Sequence, residues 1–333
     1  MTGDLTVLVT GGAGYIGSHA CKALRRAGFT PVAFDNLCNG HRDAVRFGPF
    51  VHGDVRDGMA VQQALRDHGA VAVMHFAAFA YVGESMQKPQ LYYDNNVGGM
   101  LGLLAGCRGA GVNRVVLSSS CATYGQPAVM PITEATPQQP INPYGQTKLI
   151  CEHMLRDIGA ASDLTHVALR YFNAAGADPD GELTERHDPE THLIPLALLA
   201  AAGRRGALGI FGTDYPTPDG TCVRDYIHVS DLARAHVLAL RHLLAGRGSV
   251  ALNLGTGQGT SVRQIVAAVE NVTGRRVPVQ DLPRRPGDPP ILLADPGKAA
   301  QVLDFRPDHS DITSMVRHAA PSFGLEVAND QGA

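Results

Sequence analysis

Apolar runs of four to seven residues recur along the chain with helix-period stretches between them. Residues 5–9, 30–34, 70–76, 114–119, 166–171 and 250–254 read as strands, several of them apolar on both faces, as strands of a parallel sheet covered by helices are. Residues 16–27, 60–68, 89–107 and 144–158 read as the intervening helices, with Pro89 and Pro143 near helix starts, where a missing amide costs nothing. The alternation predicts βαβ units and a doubly wound α/β sheet of Rossmann type. After Asn173 the period changes. Residues 174–220 are rich in Gly, Pro and Asp, with one helix expected at 193–204 and one strand at 208–211. The chain is expected to return to the large sheet with the segment 222–229, the helix 231–244 and the strand 250–254. It then leaves for a helix at 261–273 and a Pro-rich turn at 283–290. The predicted organisation is a dinucleotide-binding domain, 1–173 plus about 221–254, interleaved with a smaller α/β substrate lobe, about 174–220 plus 255–330. Residues 327–333, small and polar, are expected to fray.

Composition narrows the class. With 333 residues, 44% of them hydrophobic, the chain can bury an ample core. A formal net charge of −3 and no long basic run argue against nucleic acid or a membrane surface as partner. No apolar stretch approaches the ~20 residues of a membrane helix, and Met1 to Asp4 lead straight into the first strand, which predicts a cytoplasmic protein. The six cysteines form no CxxC pair, so reduced thiols are expected. His187 and His192 show no recognisable ligand spacing, and no metal site is predicted.

The candidate chemistry begins at LTVLVTGGAGYIG, residues 5–17, read as strand, phosphate-binding turn and helix start. Gly11 permits the tight turn, Gly14 lets the backbone close on a pyrophosphate, and Gly17 lets the helix pack against the strand. Asp35, eighteen residues past Gly17, closes the second strand where a carboxylate can accept from ribose hydroxyls; it repels a 2′-phosphate and favours NAD over NADP. The second element is Tyr144-Gly145-Gln146-Thr147-Lys148, twenty-four residues beyond Ser120 at a strand end. Tyr and Lys four apart share a helix face, so the ammonium can favour a phenolate and make Tyr144 a general base. Alone, YxxxK is more often a solvated helix; beside the glycine turn, Asp35 and Ser120 that reading is outweighed.

These motifs resemble the extended short-chain dehydrogenases/reductases. DNLCNGH at 35–41, HFAA at 75–78, VGES at 82–85, YYDNNV at 92–97, LRYFNAAGA at 169–177, GTCVRDYIHV at 220–229 and RRPGD at 284–288 narrow the resemblance to the UDP-glucose 4-epimerase family. It implies an NAD seat formed by Gly11, Gly14, Tyr15, Ile16 and Gly17, with Asp35, Asn36, Asp54 and Val55 on the adenosine side. Phe76, Ala77, Ala78, Asn95, Ser118 and Tyr171 would line the remainder, together with Tyr144 and Lys148. It implies that Tyr144 takes the proton of the sugar 4-hydroxyl, that Ser120 bonds the same oxygen, and that Lys148 holds the nicotinamide ribose. Arg224 and Arg285 would bind the diphosphate and Asp288 the uridine ribose. Asn96, Asn173, Leu193, Phe211, Tyr226 and Leu292 would line the UDP-sugar, with Leu292 as its size gate. For Arg284 a solvated charge and a ligand contact both stay open.

Relatives that dehydrate the sugar carry an acidic pair where this chain has Cys121 and Ala122. Ala80 stands where many relatives have a cofactor-side Lys, and the loop between Asn39 and Asp54 is short. A homodimer through the helices 89–107 and 144–158 is expected by resemblance. UDP-xylose/UDP-arabinose or UDP-N-acetylglucosamine are alternative substrates, since the motifs read the nucleotide and C4 only. A non-catalytic dinucleotide sensor is the rival class; it has no need of Ser120, Tyr144 and Lys148 together.

Overall fold

A computed structural model describes residues 4–285 and 287–327. Of the expected frayed segment 327–333, residues 328–333 lie outside the described residues. Thirteen strands occur among the described residues: β1 Thr6–Thr10, β2 Thr30–Asp35, β3 Phe50–His52, β4 Ala70–His75, β5 Arg114–Ser120, β6 Thr165–Tyr171, β7 Asn173–Ala175, β8 Leu208–Phe211, β9 Val223–His228, β10 Val250–Leu254, β11 Gly259–Ser261, β12 Val279–Leu282 and β13 Ile291–Leu292. Seven form one sheet in the order β10-β6-β5-β4-β1-β2-β3, every pair parallel.

Both faces of that sheet are covered, which is why its strands are apolar throughout. Val7 and Val9 point into a core shared with Leu24 of helix Tyr15–Arg26 and with Leu232 and Leu240 of helix Val229–Leu244. Leu8 points the other way, into a core with Val61, Leu103 and Leu155 from helices Gly58–Asp67, Gly98–Ala110 and Pro143–Ala161. The strand order reverses between β1 and β4, so a crevice opens at their carboxyl ends, where such sheets take ligands.

One expectation is corrected. The segment 222–229 does not rejoin the large sheet: β9 pairs with β7, β11 and β13 in a separate small sheet, and the chain returns only with the following helix and β10. Val223, Arg224 and Tyr226 of β9 are only half-buried, which suits a strand with two unlike faces, not a central parallel strand. The strands β8 and β12 pair apart from both sheets. The small lobe has its own core, built around Ile194, Leu198, Ile265, Val269 and Met315. All six cysteines are free, and no helix among the described residues is long and apolar enough to cross a membrane.

Candidate active site

The glycine turn is fixed by sterics. Gly11 has φ +73°, and a Cβ there would stand 2.6 Å from Ala77 N; a Cβ on Gly17 would stand 2.1 Å from Gly11 O. The Gly14 amide donates to Gly11 O at 3.1 Å, and the helix that follows starts with no side-chain cap and no acid in its first turn. Its first amides are therefore left for an anion. Tyr15 donates to Gly176 O at 2.6 Å, tying this turn to the second lobe, while Ile16 packs on the large core. Asp35 is buried; its two oxygens accept from Ala13 N at 3.0 Å and Leu37 N at 2.8 Å, which fixes the carboxylate beside the turn. Asn36 donates to Asp54 at 3.2 Å, and Arg56, missed by the sequence reading, holds the Asp54 carboxyl below its usual range. Val55 belongs to the core. Opposite, the Phe76 and Ala77 amides donate to Thr10 O, placing Ala77 and Ala78 at the mouth of the crevice.

Across the crevice, helix Pro143–Ala161 presents Tyr144 in its first turn, with Asn142 capping through Gly145 N at 2.8 Å. Lys148 lies one turn on. Its Nζ donates to Ser118 O at 2.8 Å and stands 6.0 Å from the Tyr144 ring centre. Ser118 Oγ and Tyr171 OH share a hydrogen bond of 2.8 Å. Ser120 ends β5, accepts from Ala122 N at 3.1 Å, and its hydrogen bond to Tyr144 favours the phenolate. Burial nevertheless dominates: it pushes the Tyr144 phenol well above its ordinary value, with Tyr171 adding to the rise, and it lowers Lys148 to about 8. Within the chain itself, desolvation of the buried phenolate outweighs the nearby ammonium. Burial also keeps His75 and His236 neutral, at about 3 and about 4. His236 Nε2 is buried without a partner, and its ring lies 4.6 Å from that of Phe76.

The substrate side departs more from expectation. Asn95 and Asn96 lie in a π-helical turn, Tyr93–Val97, that interrupts the single helix predicted over 89–107. Asn95 donates to Asn96 at 3.0 Å. Asn96 bonds Phe79 N at 2.8 Å, Phe79 O at 3.0 Å and Thr147 Oγ1 at 3.0 Å, so it braces the Tyr144 helix and has no free edge for a sugar. Asn173 donates to Asp225 O at 2.9 Å. Arg224 and Asp288 form a direct ion pair. Arg285 is exposed, its guanidinium 3.8 Å over the ring centre of Phe211; Arg284 pairs with Asp214 at 2.7 Å and stacks on Tyr215. Tyr226 is half-buried and desolvation raises its phenol, and Leu193 opens the helix Leu193–Ala201. Leu292 lies in register with Arg224 and packs in a cluster with Cys121, next to Ser120. The Cys121 thiol is pushed up to about 12 by burial, which removes it as an acid or base near neutrality.

Two features escaped the sequence. Asp225 is fully buried and accepts from Thr256 N at 2.8 Å, Gly257 N at 3.0 Å and Ala294 N at 3.1 Å, holding the strand that bears Arg224 against two loops. His187 and His192, read as scattered, converge with Glu185 and Glu190.

Residues 7–255 match the NAD dependent epimerase/dehydratase family. The chain is 53% identical to the UDP-glucose 4-epimerase of Rhizobium leguminosarum bv. trifolii over 96% of this chain and 97% of that one. The structure resembles that of UDP-glucose 4-epimerase from Brucella ovis in complex with NAD, at TM-score 0.96 and 58% identity, covering 97% and 100% of the two chains. It also resembles the Stenotrophomonas maltophila UDP-glucose-4-epimerase with bound NAD and formylated UDP-arabinopyranose, at TM-score 0.93 and 42% identity, covering 96% and 98%.

Proposed function

The chain belongs to the NAD dependent epimerase/dehydratase family, and we propose that it works as a UDP-glucose 4-epimerase, an isomerase that interconverts UDP-glucose and UDP-galactose through a transient 4-keto sugar. The observation that carries this reading is the convergence of Tyr144, Lys148 and Ser120 on the crevice that the glycine turn and Asp35 line on its other side. The crevice fits NAD: two side-chain-free glycines let the backbone approach a pyrophosphate, uncapped helix amides face it, and a fixed carboxylate accepts from ribose hydroxyls. Held there by Gly11, Gly14, Gly17 and Asp35, NAD would supply a hydride acceptor and donor for the sugar C4 and be regenerated in each turnover.

The chain's own residues do the rest. Tyr144 removes the 4-hydroxyl proton and later returns it, and Ser120 holds the same oxygen. Lys148, about 8 and so largely charged near neutrality, offers the positive charge that a phenolate here requires. Arg224, Arg285 and Asp288 anchor the nucleotide, guanidinium forks being suited to phosphate oxygens. With the affinity in the anchor, the hexose can be held loosely enough to rotate. With Cys121 neutral and Ala122 apolar beside Ser120, the acid–base pair for sugar dehydration is lacking.

A homodimer fits the exposed Leu91, Tyr93 and Leu101 on the helical segment from residue 89 to 110 and Ile158 on its neighbour, which a second copy would cover. A cytoplasmic setting suits six free thiols. The test is chromatographic: purified protein incubated with a panel of UDP-hexoses, UDP-pentoses and UDP-N-acetylhexosamines should equilibrate UDP-galactose with UDP-glucose fastest. Tightly bound dinucleotide with no turnover of any sugar would instead indicate a sensor.

A further inference from the structure

The loop before helix Leu193–Ala201 brings two imidazoles and two carboxylates to one point. His192 Nδ1 lies 2.9 Å from Glu185 Oε1 and 2.9 Å from Glu190 Oε1; His187 Nδ1 lies 3.2 Å from Glu185 Oε1 and 3.6 Å from Glu190 Oε2. One donor atom from each of the four residues falls within 4.8 Å of the others. The Glu185 side chain is 5% exposed, and His187 Nδ1 is buried yet makes no hydrogen bond, though it points among the carboxylate oxygens. The geometry points to a binding site for a divalent transition-metal ion at Glu185, His187, Glu190 and His192, with zinc the best match.

Three arguments carry it. A tetrahedral zinc with bonds of about 2.0–2.2 Å holds its ligand atoms about 3.3–3.6 Å apart, close to the 2.9–3.6 Å nitrogen-to-oxygen separations already present. Two imidazoles with two carboxylates suit zinc, cobalt or manganese better than calcium or magnesium, which prefer oxygen alone. The charge is also free to be met. The other acidic group, Asp178, Asp180 and Glu182, is already matched by Lys22, with Arg26 on Asp180. Among the described residues the ion-pair partners of Glu185 and Glu190 are the two histidines, and a dication binds such a pair without requiring both rings to be protonated. Glu190 Oε1 accepts from Thr191 N at 2.7 Å and His192 N at 2.8 Å, so Glu190 is oriented by its own loop and Oε2 is left to the metal.

The site borders the proposed NAD and sugar pocket. Rings of Tyr15, in the turn after β1, and Tyr81 lie 6.1 and 5.9 Å from that of His187, and His192 precedes Leu193. A bound ion would pin this loop at the meeting of the two lobes.

The experiment uses the full chain without a histidine tag, stripped with chelator and titrated with Co²⁺ followed by visible absorption, then with Zn²⁺ in competition. One equivalent of Co²⁺ with four- or five-coordinate bands is expected, displaced by Zn²⁺, and Zn²⁺ should raise the thermal midpoint. His187→Gln and Glu185→Gln should each weaken binding by about 100-fold or more while keeping the wild-type circular dichroism. The cluster of His228, His309 and His318, whose rings lie 5.1–5.7 Å apart, is the internal control: His318→Gln should bind Co²⁺ as wild type does. Stripped wild type that takes up no Co²⁺ or Zn²⁺ at micromolar concentration would overturn the assignment. So would binding that survives His187→Gln and Glu185→Gln, or that is lost in His318→Gln.

Discussion

Lys148 Nζ reaches the carbonyl oxygen of Ser118 at 2.8 Å, and from there stands 6.0 Å from the ring centre of Tyr144. One helix turn and one strand end thereby hold an ammonium beside a phenol in a place where neither is well solvated. Burial lowers Lys148 to about 8 and raises Tyr144. The charge is expensive to keep there.

That cost has a sign. Below pH 8 the ammonium is charged in both folded and unfolded chains, so the full penalty of burying it stands. Between about 8 and 10.5 the folded chain has released a proton that the unfolded chain still binds, so this group makes stability rise with pH; above 10.5 the penalty is gone. Lys148→Met should therefore abolish turnover yet stabilise the fold near pH 7, by roughly 3 kcal/mol, the gain shrinking toward pH 10. Denaturant unfolding of both proteins at the two pH values checks this; a variant less stable at pH 7 contradicts it.

Glu152 and Arg170 form a buried pair, the Arg170 Nε lying 3.0 and 3.1 Å from the two Glu152 oxygens, with Ser119 and Tyr124 completing the network. Glu152→Gln leaves a guanidinium uncompensated and should cost about 3–5 kcal/mol. Urea unfolding with an unchanged m-value measures it, and a loss under 1 kcal/mol would show the pair to be dispensable.

Arg285 lies on the face of Phe211, where it is poised to meet a diphosphate. Arg285→Ala should weaken free UDP by at least roughly 2 kcal/mol, about 30-fold in Kd, and UDP-sugar in parallel. Calorimetry with UDP decides it; equal affinity in the variant removes Arg285 from the anchor.

Leu292 stands in register with Arg224 and against Cys121, beside Ser120. A tyrosine there should crowd an acetamido group, and Leu292→Tyr should lower the UDP-N-acetylglucosamine rate relative to the UDP-glucose rate by about 1–3 kcal/mol. Rates on both sugars that fall together place the gate elsewhere.

What the sequence disclosed was local. The glycine turn, Asp35 and the Tyr144–Lys148 spacing are each written within a few residues of one element, and their placement follows once β1, β2 and β5 are recognised. What it hid depends on pairing between distant segments. That β9 joins the small sheet is decided by partners at β7, β11 and β13, each only two or three residues long. The π turn that redirects Asn96 onto Phe79 leaves no periodic signal in so short a stretch. Glu185, His187, Glu190 and His192 have no familiar ligand spacing because the loop, not a helix, brings them together. Likewise Arg224 and Asp288, given separate duties from their motifs, pair across 64 residues.

The proposed reaction turns on Tyr144 moving the 4-hydroxyl proton of a UDP-hexose. Its most direct test is single-turnover reduction of bound NAD by UDP-galactose in wild type and Tyr144→Phe, read by reduced-nicotinamide absorbance, with UDP affinity and NAD content measured in the same preparations. The variant should keep NAD and bind UDP as wild type does, while its reduction rate falls by at least about 100-fold, the low end for loss of a general base. A variant that retains both ligands and reduces NAD at the wild-type rate would contradict it.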